Sequence, residues 1–218
     1  FPDATITPWL VSKCQANTTV WAINDGVSQA VGGIVMDESQ KLLNKRVLYI
    51  GPGTGLGGAV IDVGESINEL GVITDGHIYD TMINNGQDMA EDIVSGKAIL
   101  NHCNATAEQI NQSDALLNDH HDYITKVGNS IISLIDTLTS GTFNKRNASN
   151  NWPQTDQQAL KSVTAILLGG SIATKGKMGQ IIQSMVNQTI QMPVIAIKHT
   201  STAALLGLNH IYTLSTQQ

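Results

Sequence analysis

The feature that most constrains the fold is a glycine-rich segment between two apolar, β-prone runs, residues 47–62, with the sequence VLYIGPGTGLGGAVID. This pattern predicts two strands, at about residues 46–50 and 59–63, joined by a loop. Glycines can adopt positive φ and lack Cβ, so their backbone N–H groups can converge on an anion. The loop therefore predicts a phosphate-binding hairpin, although an ordinary glycine-rich hairpin turn explains this segment alone equally well.

Two other glycine-rich signatures do not fit this segment. A Walker A loop ends in Gly-Lys-Ser/Thr and leads into a helix, whereas Gly58 is followed by Ala-Val-Ile and no lysine. The residues 53–58 satisfy G-x-G-x-x-G, but the β-branched residues after them predict a strand where a dinucleotide-binding motif requires a helix. A strand-loop-strand unit remains as the interpretation.

Composition excludes several classes of function. The formal net charge is −6 and the sequence has no Lys/Arg cluster, which argues against nucleic acid as a partner. No apolar run approaches the length of about 20 residues that a membrane span needs. Cys14 and Cys103 lie far apart and the histidines form no ligand pattern, so we predict no metal site and expect a cytoplasmic protein.

Strands alternate with helices along the chain, which predicts an α/β architecture without internal repeats. The predicted strands lie at about 19–23, 46–50, 59–63, 163–168 and 193–197, and the predicted helices at about 27–34, 88–100, 119–138, 178–186 and 202–212. The Asn-rich stretch at about 141–159 lacks an apolar pattern and is predicted to be a surface insertion.

Four short segments carry candidate functional groups. Asp25 follows a predicted strand, where its carboxylate could accept a proton from a hydroxyl or, as the residue alone favours, merely cap the next helix. The Gly169-Gly170 turn lies between a strand and a helix, where a flat ligand can approach closely. His77 is an isolated histidine, and Glu91 lies early in a helix, so each also has a purely structural interpretation.

The order of these motifs resembles the ROK and bacterial glucokinase group of sugar kinases. Asn-Asp-Gly, Gly-Thr-Gly-Leu-Gly-Gly, Gly-His, Glu-x-x-x-Ser-Gly, Leu-Gly-Gly and Ala-Leu-Leu-Gly follow one another from about Pro8 to about Tyr212. The resemblance implies an actin-like ATPase (ribonuclease H-like) α/β fold, with a mixed sheet flanked by helices. It also implies transfer of the γ-phosphoryl group of ATP, with Mg²⁺, to a hexose hydroxyl.

The resemblance also implies roles for individual residues. Asp25 matches the general base, and the sugar contacts match Asn24, His77 and Glu91. The second phosphate motif matches Gly53, Thr54 and Gly55, and the adenosine motif matches Gly169 and Gly170. The implied partners are a hexose and no nucleic acid or membrane, with a homodimer left open.

Three departures from the family pattern stand out. Thr74 occupies the position of the glutamate in the family's Glu-x-Gly-His sugar motif, and the zinc-binding cysteines of many ROK proteins are missing. The first phosphate motif, Asp-x-Gly-Gly-Thr, is also missing, and the chain begins with Phe1. We therefore expect residues 1–45 to be the end of a first, small domain and residues 46–218 to be a second, large domain. A non-catalytic sugar-binding or regulatory protein is the alternative function.

Overall fold

The computed structural model describes residues 23–37, 39–74, 78–142, 144–145 and 153–216, and its main element is a five-stranded mixed sheet. The strands are β1 (Lys45–Pro52), β2 (Leu56–Val63), β3 (Leu70–Thr74), β7 (Ala165–Leu168) and β8 (Val194–Ala196), in the order β3-β2-β1-β7-β8. A second, small sheet contains β4 (Thr81–Ile83), β5 (Asp88–Met89) and β6 (Asn144–Lys145).

Helices cover both faces of the main sheet. They are α1 (Asp25–Val35), α2 (Glu91–Val94), α3 (Gly96–Cys103), α4 (Ala107–Gln112), α5 (Asp114–Asp119), α6 (His121–Ser140), α7 (Gln154–Lys161), α8 (Gly170–Thr174), α9 (Gly176–Thr189) and α10 (Thr200–Thr216). This arrangement confirms the predicted α/β fold class. No helix within the described ranges combines the length and apolar content needed to cross a membrane.

The sheet is buried on both faces because alternate side chains of its central strands enter two different cores. In β1, Leu48 and Ile50 belong to one hydrophobic cluster, and Val47 and Tyr49 belong to the other. The same two-residue period places Val60 of β2 in the first cluster. Strands buried on both faces explain why these segments are continuous apolar runs in the sequence.

The predicted glycine hairpin is confirmed, since β1 and β2 pair in antiparallel register from Lys45↔Val63 to Pro52↔Leu56. β1 also pairs in parallel with β7, so the carboxyl ends of these two strands meet at one edge of the sheet. In α/β proteins, ligands bind at this edge.

On one face of the sheet, α1 and α10 are in backbone contact through small residues. A Cβ added at Gly32 would overlap the carbonyl of Ala203, and a Cβ added at Gly207 would overlap the carbonyl of Ser28. Eight of the eleven residues of α1 are buried, because the helix lies between the sheet and α10. On the other face, the predicted apolar stripe of α6 is fully buried.

Several predicted boundaries were wrong. The single helix expected at 88–100 is a short strand, β5, followed by two helices. The helices are separate because the Ser95 side chain accepts a hydrogen bond from Ala98 N (3.2 Å) and begins α3, and Leu100 is exposed. Asp119 ends α5 and does not cap α6. The stretch expected to be irregular up to residue 159 contains the start of α7. The predicted strand at 19–23 lies almost entirely outside the described residues.

Candidate functional site

A cleft of about 550 Å³ opens at the carboxyl ends of β1 and β7, within the range typical of small-molecule sites. It joins six parts of the chain: the start of α1, the β1–β2 hairpin, the segment before β4, the start of α2, the segment from the β7–α8 turn to the start of α9, and the start of α10. Its lining residues are Asn24, Asp25, Gln29, Gly51, Gly53, Thr54, Gly55, Leu56, Gly57, Gly58, Tyr79, Glu91, Gly170, Ser171, Lys175, Thr200 and Ser201.

Asp25 does not cap α1, because Asn24 does. The Asn24 side-chain oxygen accepts a hydrogen bond from Gly26 N at 2.8 Å, and Asp25 is the first residue of the helix. Within the part of the chain that the structure describes, the exposed Asp25 carboxylate makes no hydrogen bond or ion pair. The cap interpretation of Asp25 was therefore wrong, and its carboxylate can act on a ligand in the cleft.

Glycines set the distance between Asp25 and the hairpin. A Cβ added at Gly26 would lie 3.1 Å from the carbonyl oxygen of Gly58, and one added at Gly57 would lie 3.7 Å from the Gly26 Cα. The start of α1 therefore lies directly on β2. The contact at Gly26 is tight, so a larger residue there would press the start of α1 away from β2.

The hairpin tip is shorter than the sequence suggested, and its glycines are used differently. The pairing extends to Pro52↔Leu56, so only Gly53, Thr54 and Gly55 form the loop. Positive φ among the described glycines occurs at Gly86, Gly141, Gly170 and Gly176, and not in the hairpin. The hairpin therefore uses the missing Cβ of its glycines, as at Gly51 and Gly58, and not their capacity for positive φ. Thr54 is exposed at the tip and lines the cleft.

Hydrogen bonds connect the hairpin tip to the start of α2 and α3. The Gly53 N–H donates to the Gly55 carbonyl at 2.8 Å, which closes the tip. The Gly96 N–H donates to the Gly53 carbonyl at 2.7 Å. The Glu91 Oε2 accepts a long bond of 3.4 Å from the Leu56 N–H. Glu91 therefore stands beside the hairpin tip while it lines the cleft.

Behind the cleft, the buried ring of Tyr49 packs against two glycines, Gly51 in β1 and Gly169 at the β7–α8 turn. A Cβ at Gly51 or at Gly169 would overlap this ring. The Tyr49 hydroxyl donates to Gln29 Oε1 at 2.7 Å, which ties β1 to α1. Burial raises the pKa of Tyr49, and the nearby negative charge of Asp25 raises it further. Gly170, which follows Gly169, faces the cleft.

The structure thus brings together seven of the nine site residues predicted from sequence: Asn24, Asp25, Gly53, Thr54, Gly55, Glu91 and Gly170. Gly169 lies behind them against Tyr49, and His77 is outside the described residues. Thr74, which the sequence resemblance places at the position of a sugar-motif glutamate, ends β3 and is buried, with 6% of its surface exposed. No group of three His, Cys, Asp or Glu side chains in the described ranges is arranged to bind a metal ion.

Sequence reasoning missed Gln29, Ser171, Lys175, Thr200 and Ser201 in the cleft. Ser171 and Lys175 follow the Gly169-Gly170 turn within five residues in sequence. Their closeness to a turn predicted to bind a ligand could have identified them. Thr200 and Ser201 come from the start of α10, and nothing in the local sequence connects that helix to the other walls.

Comparison with solved structures identifies the fold. A ROK hexokinase from Thermus thermophilus aligns with a TM-score of 0.60, 14% identity and coverage of 90% of this chain. The chain has the ROK fold. A ROK family protein from Streptococcus pneumoniae TIGR4 in complex with sucrose aligns with a TM-score of 0.61, 15% identity and 89% coverage of this chain.

A ROK family transcriptional regulator, a homologue of the E. coli MLC protein, also shares the ROK fold, with a TM-score of 0.57, 16% identity and 97% coverage of this chain. The chain spans 66% of the Thermus protein, 65% of the Streptococcus protein and 57% of the regulator. No protein-family model and no curated protein matches the sequence. The relationship is therefore carried by the fold.

Proposed function

We propose that this chain belongs to an ATP-dependent sugar kinase of the ROK, glucokinase-like type, which transfers the γ-phosphoryl group of ATP to a hexose hydroxyl. The observation that carries this proposal is the position of the Asp25 carboxylate. It is free of the helix cap and lines one cleft with the hairpin tip and Gly170. A kinase of this type needs such a base beside a phosphate loop.

In the proposed reaction, Asp25 accepts the proton of the attacking sugar hydroxyl. Asn24 offers its amide N–H₂ to the sugar, since its side-chain oxygen is used in the cap. Glu91 accepts hydrogen bonds from further sugar hydroxyls, and His77 is a proposed sugar contact outside the described residues. The phosphates lie against Thr54 and the two flanking glycines, and the adenosine lies against the Gly169-Gly170 turn.

Mg²⁺ would enter with ATP and neutralise charge on the transferring phosphoryl group. Hard cations of this kind prefer carboxylate oxygens, and the cleft provides those of Asp25 and Glu91. Because the chain spans about two thirds of the ROK hexokinase, the activity of the whole protein is part of this proposal. The division into a domain ending near residue 45 and a second one, the homodimer and the cytoplasmic location stay predictions.

The test measures hexose-dependent ADP formation by the longest natural chain that contains this sequence. We expect turnover with at least one hexose, and we expect Asp25→Asn to lower kcat by about 10²- to 10⁴-fold with little change in hexose affinity. Asp92→Asn is the matched control. It removes the same charge from an exposed residue that does not line the cleft. Unchanged kcat in Asp25→Asn would disprove the role of the base.

A sugar-binding regulator without catalysis is the second candidate. Two observations favour it: the buried Thr74 in place of a sugar-binding glutamate, and the structural similarity to a transcriptional regulator. Calorimetric titration with the same hexoses separates the two functions. Hexose binding without ADP formation would support the regulator, and hexose-dependent ADP formation would exclude it.

A further inference from the structure

Lys175 is the one cationic side chain among the described residues that line the cleft. It connects α8 to α9, and it is exposed. Two residues along, Lys177 pairs with Asp114 outside the cleft. Within the described ranges, the Lys175 ammonium has no such partner, so its charge is available to a ligand.

The backbone at Lys175 is held in place, although its side chain is free. The Lys175 N–H donates to the Ser171 carbonyl at 3.1 Å. The Asn111 side chain donates through Nδ2 to the Lys175 carbonyl at 3.3 Å and accepts through Oδ1 from Met178 N at 2.9 Å. These two hydrogen bonds of the Asn111 amide hold the backbone of the α8–α9 connection in place. Because the backbone at Lys175 is already ordered, less entropy is lost when its ammonium binds a ligand.

The rest of the cleft does little to compensate the charge of a polyphosphate. Asp25 and Glu91 are both carboxylates. At the hairpin tip, the Gly53 N–H is used by the Gly55 carbonyl, and the Leu56 N–H faces Glu91. Two of the N–H groups that could have held a phosphate are therefore occupied, so a positive charge on another wall would add to what Mg²⁺ and the remaining N–H groups supply.

We propose that Lys175 binds the phosphates of the nucleotide, on the wall formed by Gly170, Ser171 and the start of α9. This inference rests on the proposed function for the identity of the ligand. Its positive charge offsets the repulsion between the polyphosphate and the carboxylates of Asp25 and Glu91, so the phosphates can lie between the α8 wall and the hairpin tip. Its contact is with phosphate oxygens and not with the adenosine.

Calorimetric titration with ADP and with adenosine tests this role, using the same natural chain as above. Lys175→Gln should weaken ADP binding by about 10-fold or more, the usual size of a lost hydrogen bond to a charged group, and leave adenosine binding unchanged. Lys177→Gln is the matched control two residues along, with the same change of charge outside the cleft. Added salt should weaken ADP binding more in the wild type than in Lys175→Gln.

Equal ADP affinity in wild type and Lys175→Gln would overturn the proposal, as would equal losses for ADP and adenosine, or a wild-type chain that binds no ADP. The readout is independent of turnover. Loss of ADP affinity in Lys175→Gln without phosphorylation of any hexose would support the phosphate contact and contradict the kinase. Hexose phosphorylation with unaltered ADP affinity in Lys175→Gln would do the reverse.

Discussion

The two glycine turns that border the cleft look alike in sequence and differ in what requires the glycine. At the β7–α8 turn, Gly170 has φ +68° and an added Cβ would overlap the Pro52 carbonyl. At the hairpin tip, a Cβ on Gly53 would meet nothing within 4 Å. One added to Gly55 would lie 3.5 Å from Glu91 Oε1, an ordinary contact.

This difference separates glycines that the fold needs from glycines that a ligand needs. Gly170 cannot be replaced without straining the backbone and moving β1, whatever binds in the cleft. The protein alone gives no steric reason for glycine at position 53. Open space beside a backbone that faces a cleft is where a ligand can come close, so the hairpin tip fits the phosphate-binding role proposed for it.

The largest effect on stability is expected from Gly170→Ala. Left-handed backbone costs a non-glycine residue about 1–2 kcal/mol, and the overlap with the Pro52 carbonyl adds about 1–3 kcal/mol. Urea unfolding should therefore show a loss of about 3 kcal/mol or more. A variant as stable as the wild type would remove the distinction between the two turns.

A smaller effect on stability is expected from Tyr49→Phe. This variant tests how Tyr49 stabilises the β7–α8 turn, against which its ring packs. The change removes the hydrogen bond to Gln29 and keeps the ring under Gly51 and Gly169. We expect a loss of about 1 kcal/mol in urea unfolding near neutral pH. A loss as large as that of Gly170→Ala would mean that the Tyr49 hydroxyl, and not the packing of its ring, stabilises the turn.

The same variant has a pH signature. Burial raises the pKa of Tyr49 above its ordinary value of 10.0, so the folded state keeps a proton that the unfolded state releases first. The stability from this group is complete below pH 10 and declines as the pH rises above it. Tyr49→Phe should show a shallower decline than the wild type in urea unfolding at alkaline pH. Some decline remains, because burial also raises the pKa of Tyr123 to about 12.

The smallest effect on stability is expected from Gly53→Ala. Its free energy of unfolding should stay within about 0.5 kcal/mol of the wild type, because the methyl group enters open space. If the tip holds the phosphates as proposed, ADP affinity should still fall by about 10-fold, since the methyl group occupies the approach to the backbone. A stable variant with unchanged ADP affinity would show that the tip is only a turn.

Local patterns predicted the elements that bury regular apolar runs, and failed where tertiary contacts decide. The hairpin, the α6 stripe and the strand at 165–168 follow directly from their periodicity. The break at Ser95 was missed because a single serine cap overrides a continuous helical pattern there. Thr200 and Ser201 could be found only once the chain had folded, since the start of α10 is far in sequence from the other walls of the cleft.

The backbone contact between α1 and α10 links the two ends of the described chain mechanically. Gly32 and Gly207 leave no layer of side chains between these helices that could adjust to a displacement. Asp25 at the start of α1 and Thr200 at the start of α10 therefore share one rigid frame. Because both helices begin at the cleft, a displacement of Thr200 or Ser201 would be transmitted to Asp25 through their backbone contact.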